Sequence, residues 1–356
     1  MTFAADFRAV DLFLEREIAA GHIPGAVLHI AHKGGVLLHK AYGNRTVHPQ
    51  VSPMNVDTVF DLASLTKVVA ALPAALKLLE QGKIALSDTV DAFLPDFRQG
   101  QGEPIRILHL LTHTSGLAAD LTDKKAVLKL SREELLARVI GSQPLRPPGE
   151  KVVYSDLGMI LLYCIIETVT GEPFDAFVKR EIFEPLDMND TGFCPSFEPE
   201  RYAATEYSEE LGGYKLGIVH DEKAERLGGV SGHAGLFSTA ADLANFVSVF
   251  RQGGVYRGRK LFSEATVALS TRNFTPYDRE YRGLGWLLKN PADISSGGDL
   301  LSSRSFGHTG FTGTSLWLDP EVDLQIILLT NRVHFGRTDH ILRLRPRLHN
   351  LIRSMF

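Results

Sequence analysis

Apolar positions along the first sixty or so residues follow a helical period and then a strand period. Phe7, Val10, Leu14 and Ile18 share one face of a helix that Gly21 closes. Two β-rich runs follow, residues 25–31 and 36–42, and Lys33-Gly34-Gly35 between them suits a hairpin turn. Residues 44–59 are polar and carry Pro49 and Pro53, so they read as loop with a short strand before Phe60. From Ser64 a helical pattern runs through Leu76 and Leu79 to Gly82, with Pro73 expected to kink it or mark a restart. Further helices are predicted over 131–140, where Ser131 and Glu134 suit a capping box, over 157–169 up to Gly171, and from Thr239 through Phe250. Residues 195–226 are poorly periodic and read as an excursion over the surface. The last third returns to β-rich segments at 281–289, 314–318 and 324–330. A closing helix then sets Ile341, Leu344, Leu348 and Ile352 on one face, with Arg343, Arg345, Arg347 and Arg353 largely elsewhere. Such a helix is expected to cover the sheet.

Strands near both ends of the chain with helices between them predict an α/β fold of the α+β type. The expected architecture is an antiparallel sheet flanked by the N- and C-terminal helices, with a mainly helical lobe inserted. The predicted division is a split α/β lobe from residues 1–60 and 270–356 and a helical lobe from 61–269, forming one catalytic unit with its site at their interface.

Composition narrows the function. With 356 residues and 44% apolar content the chain can bury a large core, and a formal charge of -4 supplies no basic excess for a phosphate backbone. The expected partner is a small molecule or peptide, not nucleic acid. No run approaches the length of a membrane-spanning helix, so stable membrane insertion is not expected. Met1 to Arg8 places Asp6 where an export signal would have basic residues and then an apolar core, which gives a cytoplasmic expectation. Cys164 and Cys194 lack metal-ligand spacing and read as free thiols.

The candidate chemistry starts at Ser64-Leu65-Thr66-Lys67. Residues three apart share a helix face, so the serine hydroxyl and lysine amine can meet, beside the free N–H groups of a helix start. One such S-x-x-K match is expected by chance in a chain of this composition, so the pattern needs context. His220, Asp221, Glu222 and His233 invite a metal reading but show no recognised ligand spacing, and neither metal nor cofactor is expected. The glycine-rich turn from Gly228 to Gly235 lacks a phosphate-loop lysine and suits close backbone approach. His113, in a tight loop, reads as structural.

Three elements in order give the context: Ser64-Leu65-Thr66-Lys67, Tyr154-Ser155-Asp156 before a helix, and His308-Thr309-Gly310 beside a strand. Together with residues 111–117 and 235–239 they resemble the class C β-lactamase and penicillin-binding serine hydrolases, a group that includes DD-carboxypeptidases and esterases. The resemblance spans nearly the whole chain. It implies that Ser64 is acylated, that Lys67 and Tyr154 share its proton, and that the Ser64 and Phe311 N–H groups form an oxyanion hole on an edge strand. It also implies that Asp156, His308, Thr309 and Gly310 contact substrate.

Two positions depart from the family pattern. Asp156 replaces the usual asparagine, and a carboxylate near Lys67 favours its ammonium form and shifts the base role toward Tyr154. His308 replaces the usual lysine, so a substrate carboxylate is held less strongly and efficient β-lactam hydrolysis is not expected. Asp156 is expected either to orient Lys67 or to receive a substrate amine, and Arg332 either to replace the missing charge or to serve the structure. The expected activity is acyl-enzyme hydrolysis of a peptide, amide or ester bond. The alternatives are a carboxylesterase of the same fold and a non-catalytic penicillin- or peptide-binding protein.

Overall fold

The computed structural model of the protein describes residues 6–98, 102–121 and 124–356. Residues 1–5, part of the segment read above for an export signal, lie outside the described residues. The largest sheet has seven strands, in the order Leu287–Leu288, Phe306–Thr309, Ser315–Asp319, Leu324–Thr330, Gly25–His32, Gly35–Thr46 and Ser52–Pro53. Every neighbouring pair is antiparallel. Its central strand, Leu324–Thr330, is buried throughout, because helices cover both faces. On one face Val10 and Leu14 of the helix Arg8–Ala19 and Ile341, Leu344, Leu348 and Ile352 of the helix His340–Arg353 pack on Leu28, Ile30, Ile326 and Leu328. On the other, Val27, Ile327 and Leu329 join the large core that contains Leu243 and Phe246 of the helix Ala240–Arg251. The apolar faces read from the sequence are therefore the buried ones. Among the described residues no single helix is long and apolar enough to cross a membrane.

The helix boundaries follow local chemistry. Ser131 Oγ accepts the Glu134 N–H at 3.2 Å while the Glu134 carboxylate accepts the Ser131 N–H at 2.8 Å, the reciprocal cap the spacing predicts. The apolar helix Asp156–Thr170 begins where Ser155 Oγ accepts the Gly158 N–H at 3.2 Å and ends at Gly171, whose φ of 71° suits a residue without Cβ. The serine segment is composite: a 3₁₀ turn at Ala63–Leu65, a π turn at Lys67–Ala71 and an α-helix at Leu72–Glu80. Pro73 marks the restart. The Leu72 N–H reaches back to the Lys67 carbonyl, and this wider turn lets a residue without N–H follow without breaking the rod.

Three expectations are revised. Only Leu287–Leu288 of 281–289 is strand, because Gly285 has φ 72° and a Cβ on Gly283 would lie 2.4 Å from the Ser270 carbonyl, so the chain folds back. Residues 195–226 are not purely superficial: Tyr202, Val219 and Ala224 form a small core with Val59, Ala234 and Phe237, anchored by isolated loop residues that leave no period. Arg345 points inward, 4% exposed, although it lies outside the apolar stripe of its helix.

Candidate active site

The short strand Phe60–Asp61 pairs with Leu236–Ser238, and the chain then turns sharply into Ser64. Ala63 has φ 46°, unfavourable for a residue with a Cβ, and is held there by donating its N–H to Asp61 Oδ1 at 2.8 Å. Asp61 also accepts the His220 N–H at 2.6 Å; burial pushes its pKa up against those bonds. This elbow leaves Ser64 partly exposed and Lys67 fully buried. Lys67 Nζ donates to Ser64 Oγ at 3.1 Å and to the His233 carbonyl at 2.9 Å, and lies 2.8 Å from Asp156 Oδ1. Three acceptors match the three protons of an ammonium group. Burial opposes that charge, but the Asp156 carboxylate and Tyr154 together outweigh it, so the Lys67 pKa lies above its ordinary value.

Tyr154 is set by the loop before its helix. The Val153 N–H donates to the His113 carbonyl at 2.8 Å and the Ser155 N–H to His113 Nδ1 at 3.2 Å. The Tyr154 ring centroid lies 4.6 Å from that of His113, 5.9 Å from that of His308 and 4.8 Å from Lys67 Nζ. His113 is thus brought into the site. Because its Nδ1 accepts, its proton is on Nε2, and that Nε2 and the Tyr154 hydroxyl are both buried with no hydrogen-bond partner among the described residues. Orphaned groups of this kind are costly and mark a place where a reactant or solvent completes the bonding. Burial first, then the positive charges of Arg282 and Lys67, holds the pKa values of His113 and His308 well below the ordinary histidine value, so both rings are neutral at neutral pH.

The Phe306–Thr309 strand leads into a turn over residues 310–314. It is second from the sheet edge, because Leu287–Leu288 lies outside it. That outer strand pairs only with Gly307 and Phe306, which leaves the outer edge of His308 and Thr309 open. Thr312 Oγ1 donates to the Asp61 carbonyl at 2.8 Å and Thr314 Oγ1 to the Leu62 carbonyl at 3.1 Å, tying the turn to the serine elbow. Gly310 is required by this approach: a Cβ there would lie 2.4 Å from the Leu62 carbonyl oxygen. No acceptor among the described residues takes the N–H of Ser64 or of Phe311. Below the turn, Arg345 donates to the Gly310, Thr314 and Gly313 carbonyls at 2.6, 2.8 and 3.2 Å. Burial, with Arg332 nearby, lowers the Arg345 pKa to about 9. Arg332 donates to the carbonyls of Phe311, at 2.8 Å, and of Thr338, and its guanidinium lies 4.6 Å from the Phe311 ring centroid. Its Nε and Nη1 thus donate to chain carbonyls.

Behind Lys67 lies a charge network that pattern reading does not reach. Asp156 Oδ2 is 3.4 Å from Lys223 Nζ, which is 3.0 Å from Asp120 and 3.7 Å from Asp221. Asp221 Oδ1 meets His233 Nε2 at 2.8 Å, and His233 Nδ1 meets Ser231 Oγ at 2.8 Å. Burial disfavours both carboxylates, yet Lys67, His233 and Lys223 bring Asp156 below its ordinary pKa, and His233 and Lys223 bring Asp221 well below. Asp156, Asp221 and His233 offer ligand atoms within 4.8 Å of one another, but the carboxylates already face two ammonium groups. Asp221 and His233 stood out in the sequence through their residue types; Lys223 had no signal, because a lysine between surface-looking glutamates reads as solvated.

The Beta-lactamase family model matches residues 10–350. A Bacillus subtilis (strain 168) protein named N-acetylmuramyl-L-alanine amidase is 36% identical over 92% of this chain and 81% of its own length. A Salmonella agona (strain SL483) protein carrying the name D-alanyl-D-alanine carboxypeptidase is 36% identical over 91% of this chain and 82% of its own. Among solved structures, EstCE1, a hydrolase with promiscuous acyltransferase activity, has a TM-score of 0.76 at 25% identity, covering 96% of this chain and 97% of that one. The octameric penicillin-binding protein homologue of Pyrococcus abyssi has a TM-score of 0.76 at 24% identity, covering 98% of this chain and 77% of that one.

Proposed function

The chain belongs to the Beta-lactamase family and is a serine hydrolase, and from that premise we propose that it cleaves an amide bond of a cell-wall peptide fragment through an acyl-Ser64 intermediate. The observation that carries the assignment is the position of Lys67 Nζ, 3.1 Å from Ser64 Oγ and 2.8 Å from Asp156 Oδ1. Held as ammonium, Lys67 has no lone pair to act as base, so Tyr154, acting as the phenolate beside that ammonium, receives the Ser64 proton and becomes the neutral phenol. Ser64 Oγ bonds to the carbonyl carbon, the C–N bond breaks, and Tyr154 returns the proton to the leaving amine. Water then attacks the acyl carbon while the Tyr154 phenolate takes its proton, the C–Oγ bond breaks, Tyr154 returns that proton to Ser64 Oγ, and the acid departs. Charge that forms on the carbonyl oxygen is stabilised by the free N–H groups of Ser64 and Phe311, with Lys67 adding its positive field.

Asp156 in this reading sets the charge of Lys67. Its oxygens face Lys67 and Lys223, which argues against its receiving a substrate amine. His308, Thr309 and Gly310 are the substrate contacts, offering a neutral ring and an open strand edge in place of a cation. Support for an amide substrate comes from the two relatives at 36% identity, both named for amide cleavage.

Intact-protein mass spectrometry after exposure to a fluorophosphonate, and separately to a fluorescent penicillin, tests the nucleophile. The wild type should gain one adduct and Ser64→Ala none. A label that survives in Ser64→Ala, or a folded wild type that neither reagent labels, removes the assignment. Product analysis on muropeptides then separates the bonds: free D-alanine marks carboxypeptidase cleavage, a peptide beginning with L-alanine marks amidase cleavage. Turnover of simple esters alone overturns the amide reading.

A further inference from the structure

Away from the serine, a groove of about 420 Å3 runs between the sheet and the helix Ala240–Arg251, lined by His29, His39, Gln325, Asn245, Ser248 and Arg251 among others. His29 and His39 stand directly opposite one another on the first two long strands. Their Nδ1 atoms are 3.3 Å apart, with the ring planes inclined by 67°. That separation is at the weak end for an N–H···N bond. It equals the spacing of two imidazole nitrogens bound to one tetrahedral cation: with metal–nitrogen bonds of about 2.0–2.1 Å, the nitrogens lie roughly 3.3–3.4 Å apart.

The surroundings suit a cation of that kind. Gln325 pairs with Ala31, two residues beyond His29 on the same sheet face, and is only 3% exposed. Its side-chain amide makes no hydrogen bond among the described residues, which leaves an uncommitted amide oxygen on the groove lining. The one charged group of the lining, Arg251, has its Nη1 3.2 Å from the Asp323 carboxylate, so its charge is compensated.

We infer that His29 and His39 form a binding site for a divalent transition cation of borderline softness, Zn2+ or Cu2+, with Gln325 as the adjacent oxygen donor and solvent filling the remaining positions. Imidazole ligands without a carboxylate select this class over Mg2+ or Ca2+. The inference is independent of the Ser64 chemistry, since none of these residues belongs to that site.

Calorimetric titration of Zn2+ into the EDTA-treated, tag-free full chain near neutral pH tests it, together with the spectrum of added Cu2+ by electron paramagnetic resonance. Expected are one equivalent per chain, nitrogen hyperfine coupling from two imidazoles, and affinity weakened by about tenfold or more in His39→Ala. His39→Gln, which keeps more of the side-chain volume, should show the same loss and guards against misfolding, checked by circular dichroism. His32→Ala and Asp221→Asn should bind as the wild type does. Absence of Zn2+ binding at micromolar concentrations overturns the inference, as does binding undiminished in both His39 variants. Loss in Asp221→Asn alone would place the metal at the Asp156, Asp221 and His233 cluster and equally refute it.

Discussion

Asp156 stands where the related enzymes usually carry asparagine, and its effect on Lys67 is open to measurement. Burial by itself would lower the Lys67 pKa, but the Asp156 carboxylate together with Tyr154 raises it above its ordinary 10.5. If the ammonium form is the productive one, activity is lost as pH rises through that pKa, so the wild type should show no lysine limb below it. In Asp156→Asn the carboxylate's pull is lost while burial still disfavours the charge, and the basic limb of kcat/KM should move to a lower pH. A limb that stays put would mean that Lys67 titration does not govern the rate. This one substitution was visible in the sequence, since it interrupts a short local motif. The ammonium of Lys223 on the opposite side of the carboxylate was not, because 67 residues separate the two positions along the chain.

At the scale of elements, the terminal helix does more than cover the sheet. Its apolar stripe seats it, and the seating turns Arg345 inward against three carbonyls of the 310–314 turn that carries Phe311. Arg345 is therefore a positioning residue for the proposed oxyanion donor. Replacing it by methionine leaves the Gly313 carbonyl without a partner among the described residues and the Gly310 and Thr314 carbonyls with one backbone N–H each, at about 1–3 kcal/mol in stability. If the turn then moves, kcat should fall by roughly 10²-fold while KM changes little, as when an oxyanion donor is lost. Arg345→Lys should recover part of that loss. Equal stability loss with kcat untouched would limit Arg345 to a structural role. A helical wheel assigns this arginine to the solvent side; its direction is decided by the turn packed beneath it. The π turn before Pro73 is a similar case, since the proline predicted a kink or a restart and the structure makes the restart through that wider turn.

For the whole molecule, folding buries several histidines as neutral rings. His29 and His349 have pKa values lowered to about 4, burial being the first cause, while those of His113 and His308 lie well below the ordinary 6.5. A folded pKa below the unfolded one contributes stability that is present above the unfolded value and lost as pH falls through the folded one. Urea midpoints should therefore drop between pH 6.5 and about 4, with His349 alone accounting for about 3 kcal/mol. His349→Asn, which keeps a donor for the Ser296 carbonyl, should flatten that slope; an unchanged slope would assign the acid sensitivity elsewhere. By itself the sequence determined the apolar faces, the capped helix starts, the antiparallel class and the ordered motifs of Ser64, Lys67, Tyr154 and His308, because periodicity, capping and short motifs depend on neighbours a few residues apart. Only the tertiary structure decided that Lys223, Asp120, Asp221 and His233 stand behind Lys67, that His113 lies beneath Tyr154, and that His29 faces His39 across a groove. Those groups meet through chain crossings, and burial then sets their charge by removing water and leaving each ion the partners that the packing supplies.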